Sequence, residues 1–215
     1  MSDVRRDAVR VIVPASSANL GPAFDCAGLA LGIFDELVAM VTDDPGVLVE
    51  VSGIGEDTVP RDETNLVVRA MRAGFAWLGV EVPGFVLRAR NHIPHGRGLG
   101  SSAAAVIGGI VLARAMVDDG PVRMTDSDVL QVALGFESHP DNLAAALYGG
   151  LTIAWLEGDG LADAVRLRPH PELRATVLLP AEALATATAR AMLPEVVPLA
   201  DATANVGRAA LLVHA

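Results

Sequence analysis

Residues His92–Gly109 read HIPHGRGLGSSAAAVIGG, and the way this stretch is read decides the rest. Gly96, Gly98 and Gly100 alternate, Ser101 and Ser102 follow, and an Ala-rich apolar run comes next. Glycine has no Cβ, so it takes positive φ and lets a ligand approach the backbone closely. Ser101 or Ser102 is positioned to cap the helix that the run should begin. The start of a helix presents unpaired N–H groups and the positive end of its dipole, which suits phosphate. The expectation is a loop that cradles nucleotide phosphates. A P-loop is excluded, because GxxxxGK[ST] needs a lysine and the chain has none. A mechanism through a lysine Schiff base is excluded with it. The Rossmann pattern GxGxxG/A is matched literally by 98–103, but that fold wants the loop directly after its strand, and Pro94 stands in between. A glycine-rich connection without a ligand also fits these residues taken alone.

Working outward, 82–90 reads as the strand leading into the loop and 102–117 as the helix leaving it. On the N-terminal side, 8–14 reads as a strand ended by Pro14, and Ala15–Asp25 (ASSANLGPAFD) as a polar turn beside it. Strands follow at 34–41 and 47–51, and a helix at 66–78 that Thr64 or Asn65 can cap. On the C-terminal side, Thr125 or Ser127 starts a helix through Glu137. Next comes Glu137–Asn142 (ESHPDN), with two carboxylates, an imidazole and an amide in six residues. Residues 151–156 and 174–180 read as strands, 169–171 as a domain joint, and 181–192 and 200–215 as helices.

Composition bounds the rest. The chain has 215 residues, 52% of them hydrophobic, enough for one large or two small domains. Its net charge of −10 argues against a nucleic acid or an anionic membrane as partner. The single cysteine, Cys26, excludes an intramolecular disulfide and fits a reducing, cytoplasmic setting. No window reaches about 18 unbroken apolar residues, so no membrane span is expected.

Four stretches together resemble the GHMP small-molecule kinases, and within them the branch that acts on homoserine. They are Val13–Asp25 (VPASSANLGPAFD) with Gly28–Leu31 (GLAL), Pro94–Ala105 (PHGRGLGSSAAA), Glu137–Gly150 (ESHPDNLAAALYGG) and Thr186–Arg190 (TATAR). The sequence departs from the family at Ala23, where glycine is usual, at Ala185, where serine is frequent, and at Arg97 inside the loop. Family members continue to a third glycine motif and a second substrate arginine, and this sequence stops before both.

The resemblance implies an α+β fold in two lobes. Residues 1–165 would form a ribosomal-protein-S5-like, ATP-binding lobe, and 166–215 the beginning of an incomplete ferredoxin-like lobe. It implies transfer of the ATP γ-phosphoryl group to the side-chain hydroxyl of L-homoserine. Pro94, His95, Gly96, Arg97, Gly98, Leu99, Gly100, Ser101 and Ser102 would bind the phosphates, and Asn65 would face the adenine. Ser102 and Glu137 would hold Mg²⁺, which prefers hard oxygen ligands. Asp25 would take the substrate ammonium, and Arg190 its carboxylate through a bidentate fork. Asn19, His139, Asn142 and Thr186 would complete the acceptor site. Asp141 is a candidate base, and positioning without a base is the alternative. The resemblance also leaves a homodimer open. Other acceptors used in the family, mevalonate and sugars, are the competing reading. A nucleotide-binding remnant without catalysis is the other.

Overall fold

The twenty-residue strand β2 (Ala23–Thr42) is the spine of the sheet in the computed structural model, which describes residues 3–82, 84–180, 182 and 186–214. Strand β1 (Val9–Leu20) runs antiparallel to it almost along its whole length. On the other side of β2, β4 (Gly84–Asn91) pairs with residues 36–42 and β5 (Leu151–Leu156) with 27–29. Strand β3 (Gly46–Gly53) lies parallel to β4, and β6 (Ala162–Leu167) antiparallel to β5. The sheet order is β3-β4-β2-β5-β6, with β1 on β2.

The helices α1 (Leu66–Trp77), α2 (Ser101–Met116), α4 (Asp126–Leu134) and α5 (Pro140–Tyr148) pack together and against the sheet, with the four-residue α3 (Gly120–Arg123) between α2 and α4. Val13, Leu37, Leu87, Met71, Ile107, Ile110, Leu130 and Leu143 fill the space between. Gly109 lets α1 and α2 touch, since a Cβ there would stand 2.6 Å from the Val67 carbonyl oxygen. This is an α+β fold, as the resemblance implied.

Several elements differ from the sequence reading. The polar stretch 15–25 is not a free turn; it is the bulged end of the β1–β2 hairpin. Pro14, expected to end β1, sits at a register shift on a strand that pairs on one side only, where its missing N–H costs no ladder bond. Asn19 and Asp25 hold positive φ of 60° and 56° near the second shift, a conformation these two residue types tolerate. Strand β6 was not anticipated, although Ala162 and Ala164 alternate inward with exposed neighbours. The helix after Thr125 ends at Leu134 rather than at 137, with Gly135 as its C-cap, and Thr125 closes a capping box with Asp128. The expected strand at 174–180 is absent among the described residues, where no neighbouring strand pairs with it. Of the helix expected over 181–192, residues Thr186–Arg190 form α6 and 191–192 a turn, while 181 and 183–185 lie outside the described residues. Helix α7 (Leu199–His214) buries no residue, and Asn205 Nδ2 donates to the Pro22 carbonyl at 2.7 Å, tying it to the hairpin turn.

Asn65 is the N-cap of α1. Its Oδ1 accepts from the Val67 and Val68 N–H groups at 2.9 and 3.4 Å, and its Nδ2 donates to the Pro60 carbonyl at 2.7 Å. Asn65→Ala should lower the free energy of unfolding by about 1–2 kcal/mol, read from the urea midpoint. An unchanged midpoint would show that the cap is dispensable.

Candidate functional site

The N-terminus of α2 is capped by Gly100, with φ +64°, and not by the expected serine. A left-handed glycine turns the chain sharply into the helix, which moves Ser101 and Ser102 into the first turn. No side chain caps this end, so its first N–H groups are left for a ligand. Gly96 and Gly98 are also left-handed, with φ of 65° and 74°. The loop is tied down at both ends. The Asp35 carboxylate accepts from the His92 and Ile93 N–H groups at 2.6 and 2.9 Å, and the Leu99 carbonyl accepts from Ser16 N–H at 3.0 Å. Arg97 Nη1 donates to the Pro180 carbonyl at 2.5 Å, which joins the loop to the chain beyond the sheet.

Two cavities meet at this helix end. One, of about 290 Å³, is largely apolar and lined by Val13, Leu37, Val59, Pro60, Val67 and Ala89, with Asp35, Asn65 and His95 at its wall. The other is a cleft of about 660 Å³. Ser101 and Ser102 border both. The apolar cavity has the character of a base pocket, and the cleft that of a site for phosphates and acceptor. Asn65 borders the first, and its carboxamide is spent on the cap. The cleft gathers Asn19, Gly96, Gly98, Leu99, Gly100, Ser102, Glu137, His139, Asn142 and Arg190. Pro94 and Arg97 line neither cavity. Leu99 turns its side chain into the core.

Ser102 Oγ donates to Glu137 Oε1 across the cleft. Burial pushes the Glu137 carboxyl above the usual range, the Ser102 hydrogen bond opposes this, and the Asp141 charge adds to it. Asp141, only 2% exposed, is likewise raised by burial, with its neighbour's N–H opposing and Asp25 adding. Among the described residues no three His, Cys, Asp or Glu side chains converge on a metal position. One carboxylate and one hydroxyl are nevertheless hard oxygen donors of the kind Mg²⁺ takes, with phosphate and water supplying the remainder. The residues present fit that ion.

At the other wall the guanidinium of Arg190 forms a two-pronged pair with Asp25, and Arg190 Nη1 lies 3.1 Å from Asp25 Oδ2. The sequence reading gave these two charges separate partners, an ammonium and a carboxylate. In the structure they satisfy each other. Asn19 Oδ1 accepts from Asp25 N–H at 2.9 Å, Arg190 lies 5.5 Å over the Phe24 ring, and His139 Nε2 is 3.8 Å from Asp25 Oδ2. The side chain of Thr186 lies outside the described residues.

Comparison with known proteins agrees with this arrangement. The model of the GHMP kinases N terminal domain matches residues 65–150. The homoserine kinase of Streptomyces coelicolor is 50% identical over 211 residues, covering 98% of this chain and 68% of that protein. The chain belongs to the homoserine kinase family. It spans about two thirds of the length of such relatives. The crystal structure of homoserine kinase from Cytophaga hutchinsonii superposes with a TM-score of 0.75 at 28% identity, covering 97% of this chain and 67% of that one. A structure of the putative homoserine kinase of Listeria monocytogenes gives 0.72 at the same identity and coverage.

Two residues of this homoserine kinase family member went unassigned at the sequence level. Asp35 grips the loop from the inward side of β2, and alternation alone places it there with Leu37 and Ala39. Ser16, read only as part of the polar stretch 15–25, joins the loop to Asn142.

The buried carboxyls also set a stability trend. Asp35, Glu137 and Asp141 all hold protons at higher pH than in the unfolded chain, mainly through burial. The folded state therefore binds more protons, and these groups make stability fall as pH rises above the ordinary carboxylate range. Asp141→Asn should raise the melting temperature at pH 7, the gain shrinking toward the ordinary aspartate pKa, about 3.9. A loss at pH 7 would show that the Asp141 charge is compensated.

Proposed function

We propose that the chain is the ATP-binding and acceptor-binding part of a homoserine kinase. It moves the γ-phosphoryl group of ATP to the side-chain hydroxyl of L-homoserine, giving O-phospho-L-homoserine and ADP, a step of threonine biosynthesis. The observation that carries this reading is that one cleft joins the unclaimed N-terminus of α2, the Ser102–Glu137 pair and Arg190, which holds Asp25 just behind the wall. The hydroxyl oxygen of homoserine bonds to the γ-phosphorus, the bond from that phosphorus to the ADP oxygen breaks, and the hydroxyl proton passes by way of the phosphoryl oxygens to water.

Residues 96–102 hold the phosphates by backbone N–H groups, and the apolar cavity takes the adenine, with Asn65 at its wall. Such transfer depends on positioning and on neutralising spread charge. Glu137 and Ser102 would hold Mg²⁺, whose charge would offset that of the β- and γ-oxygens. Arg190 turns from Asp25 to the substrate carboxylate, Asp25 takes the ammonium, and Asn19, His139, Asn142 and Thr186 bound the site. Asp141 is within the same wall, but its carboxyl faces its own helix N–H at 2.7 Å, which favours positioning over a dedicated base. Residues 1–165 form the ATP-binding lobe, and 166–215 begin the second. The enzyme works in the cytoplasm, with neither nucleic acid nor membrane as partner, and a homodimer is compatible with the reading. The described helices include none long and apolar enough to cross a membrane.

The mevalonate- and sugar-type readings lack a use for paired opposite charges in the acceptor wall. The test is a panel of acceptors with Mg-ATP, followed by phosphorus NMR. The expected product is a phosphomonoester of homoserine. Phosphorylation of mevalonate or galactose in preference to it would overturn the assignment.

A further inference from the structure

Ser16 lies on β1, is fully buried, and touches both the glycine loop and α5. Its N–H donates to the Leu99 carbonyl of the glycine loop at 3.0 Å. Its Oγ donates to Asn142 Oδ1, on the first turn of α5, at 2.9 Å. Gly100 closes the triangle, since a Cβ there would lie 2.0 Å from Ser16 Oγ and 3.1 Å from Asn142 Oδ1. Three segments far apart in sequence thus converge on one hydroxyl.

The chemistry of an amide makes this contact directional. Its oxygen only accepts and its nitrogen only donates. With Oδ1 turned to the Ser16 hydroxyl, the Nδ2 end of Asn142 is the one left for the cleft. Among the described residues no protein group takes its hydrogens, and it is not a buried orphan. We propose that Ser16 is a positioning residue that locks Asn142 as a hydrogen-bond donor aimed at an anionic oxygen of the transferring phosphoryl group. This rests on the kinase reading given above. It assigns Asn142 a donor's role and denies it that of an acceptor for the substrate hydroxyl proton. Because Ser16 holds the loop and the amide from one rigid strand, it also fixes their mutual distance, and such pre-arranged donors stabilise charge that develops during transfer.

Two measurements on the whole chain test this. In the ligand-free protein, the side-chain amide resonance of Asn142 is identified by its loss in Asn142→Ala. Ser16→Ala, which keeps the backbone N–H, should move that resonance; an unmoved resonance overturns the proposal. In turnover, Ser16→Ala should lower kcat about tenfold. The KM values for ATP and homoserine should change less than about twofold, because one hydrogen bond specific to the transfer step is lost. In an Asn142→Ala background the same change should add nothing. A second, additive loss, or a loss confined to KM, overturns the proposal. Absence of turnover in the unsubstituted chain would count against the kinase reading itself, and the resonance would then decide the role of Ser16.

Discussion

Glu137→Gln lowers kcat by about 10²- to 10³-fold, on the scale seen when one preorganised charge-stabilising group is removed from an active site. The substitution keeps size and hydrogen-bonding shape, so Ser102 still finds a partner. It removes the negative charge that, with the Ser102 oxygen, would attract a divalent cation in a cleft whose loop offers only neutral N–H groups. The effect carries a pH signature. Burial holds the Glu137 carboxyl above the ordinary glutamate range. In the unsubstituted chain, activity at limiting Mg²⁺ therefore rises with pH through that raised value, as the carboxyl ionises and becomes a ligand. Excess Mg²⁺ pulls the limb to lower pH, since the cation favours the ionised form. In Glu137→Gln the limb disappears. Turnover measured against pH at two Mg²⁺ concentrations checks both points. A Gln variant with unchanged kcat and an unchanged acid limb would remove Glu137 from the metal site.

Arg190→Ala raises the KM for homoserine by about 30- to 150-fold and leaves that for ATP within about twofold. The magnitude follows from losing a charge-assisted, two-pronged contact of about 2–3 kcal/mol. The structure adds a consequence that the sequence does not contain. Asp25 and Arg190 grip each other in the folded chain. A zwitterion can replace both halves of that pair at once, giving its carboxylate to the guanidinium and its ammonium to the aspartate. A ligand with a single charge leaves one half unpaired in a partly buried wall, which is costly. Homoserine should therefore bind far better than its deaminated or decarboxylated analogues. Steady-state kinetics with each analogue measures this. Equal loss of affinity for ATP and homoserine in Arg190→Ala would assign the residue to general stability of the cleft.

The parts of the site that were legible in the sequence are those carried by local chemistry. Alternating glycines followed by Ser101 and Ser102 announce a loop opening a helix, and the fold has one. Ser102 and Glu137, 35 positions apart, are joined only by the resemblance, and the fold brings them into hydrogen-bond contact. Other features depend on tertiary structure. Gly100 displaced the serines as the helix cap, because a left-handed glycine was needed to clear Ser16 and Asn142. Asn65, expected at the adenine, turned its amide to α1. Stretch 15–25 resembled a turn because bulged strands take the same small and polar residues that loops take. The resemblance puts Asp25 and Arg190 on one substrate, but their direct contact was not legible, since it spans 165 positions and exists only in the folded chain.

One measurement bears most directly on the shared cleft: a crystal structure of the chain with Mg²⁺, a non-hydrolysable ATP analogue and homoserine. The phosphates should lie against residues 96–102, the cation between Ser102 and Glu137, and the homoserine between Asp25 and Arg190 with their mutual pair opened. A nucleotide bound away from the start of α2, or homoserine bound while Asp25 and Arg190 still hold each other, would contradict it.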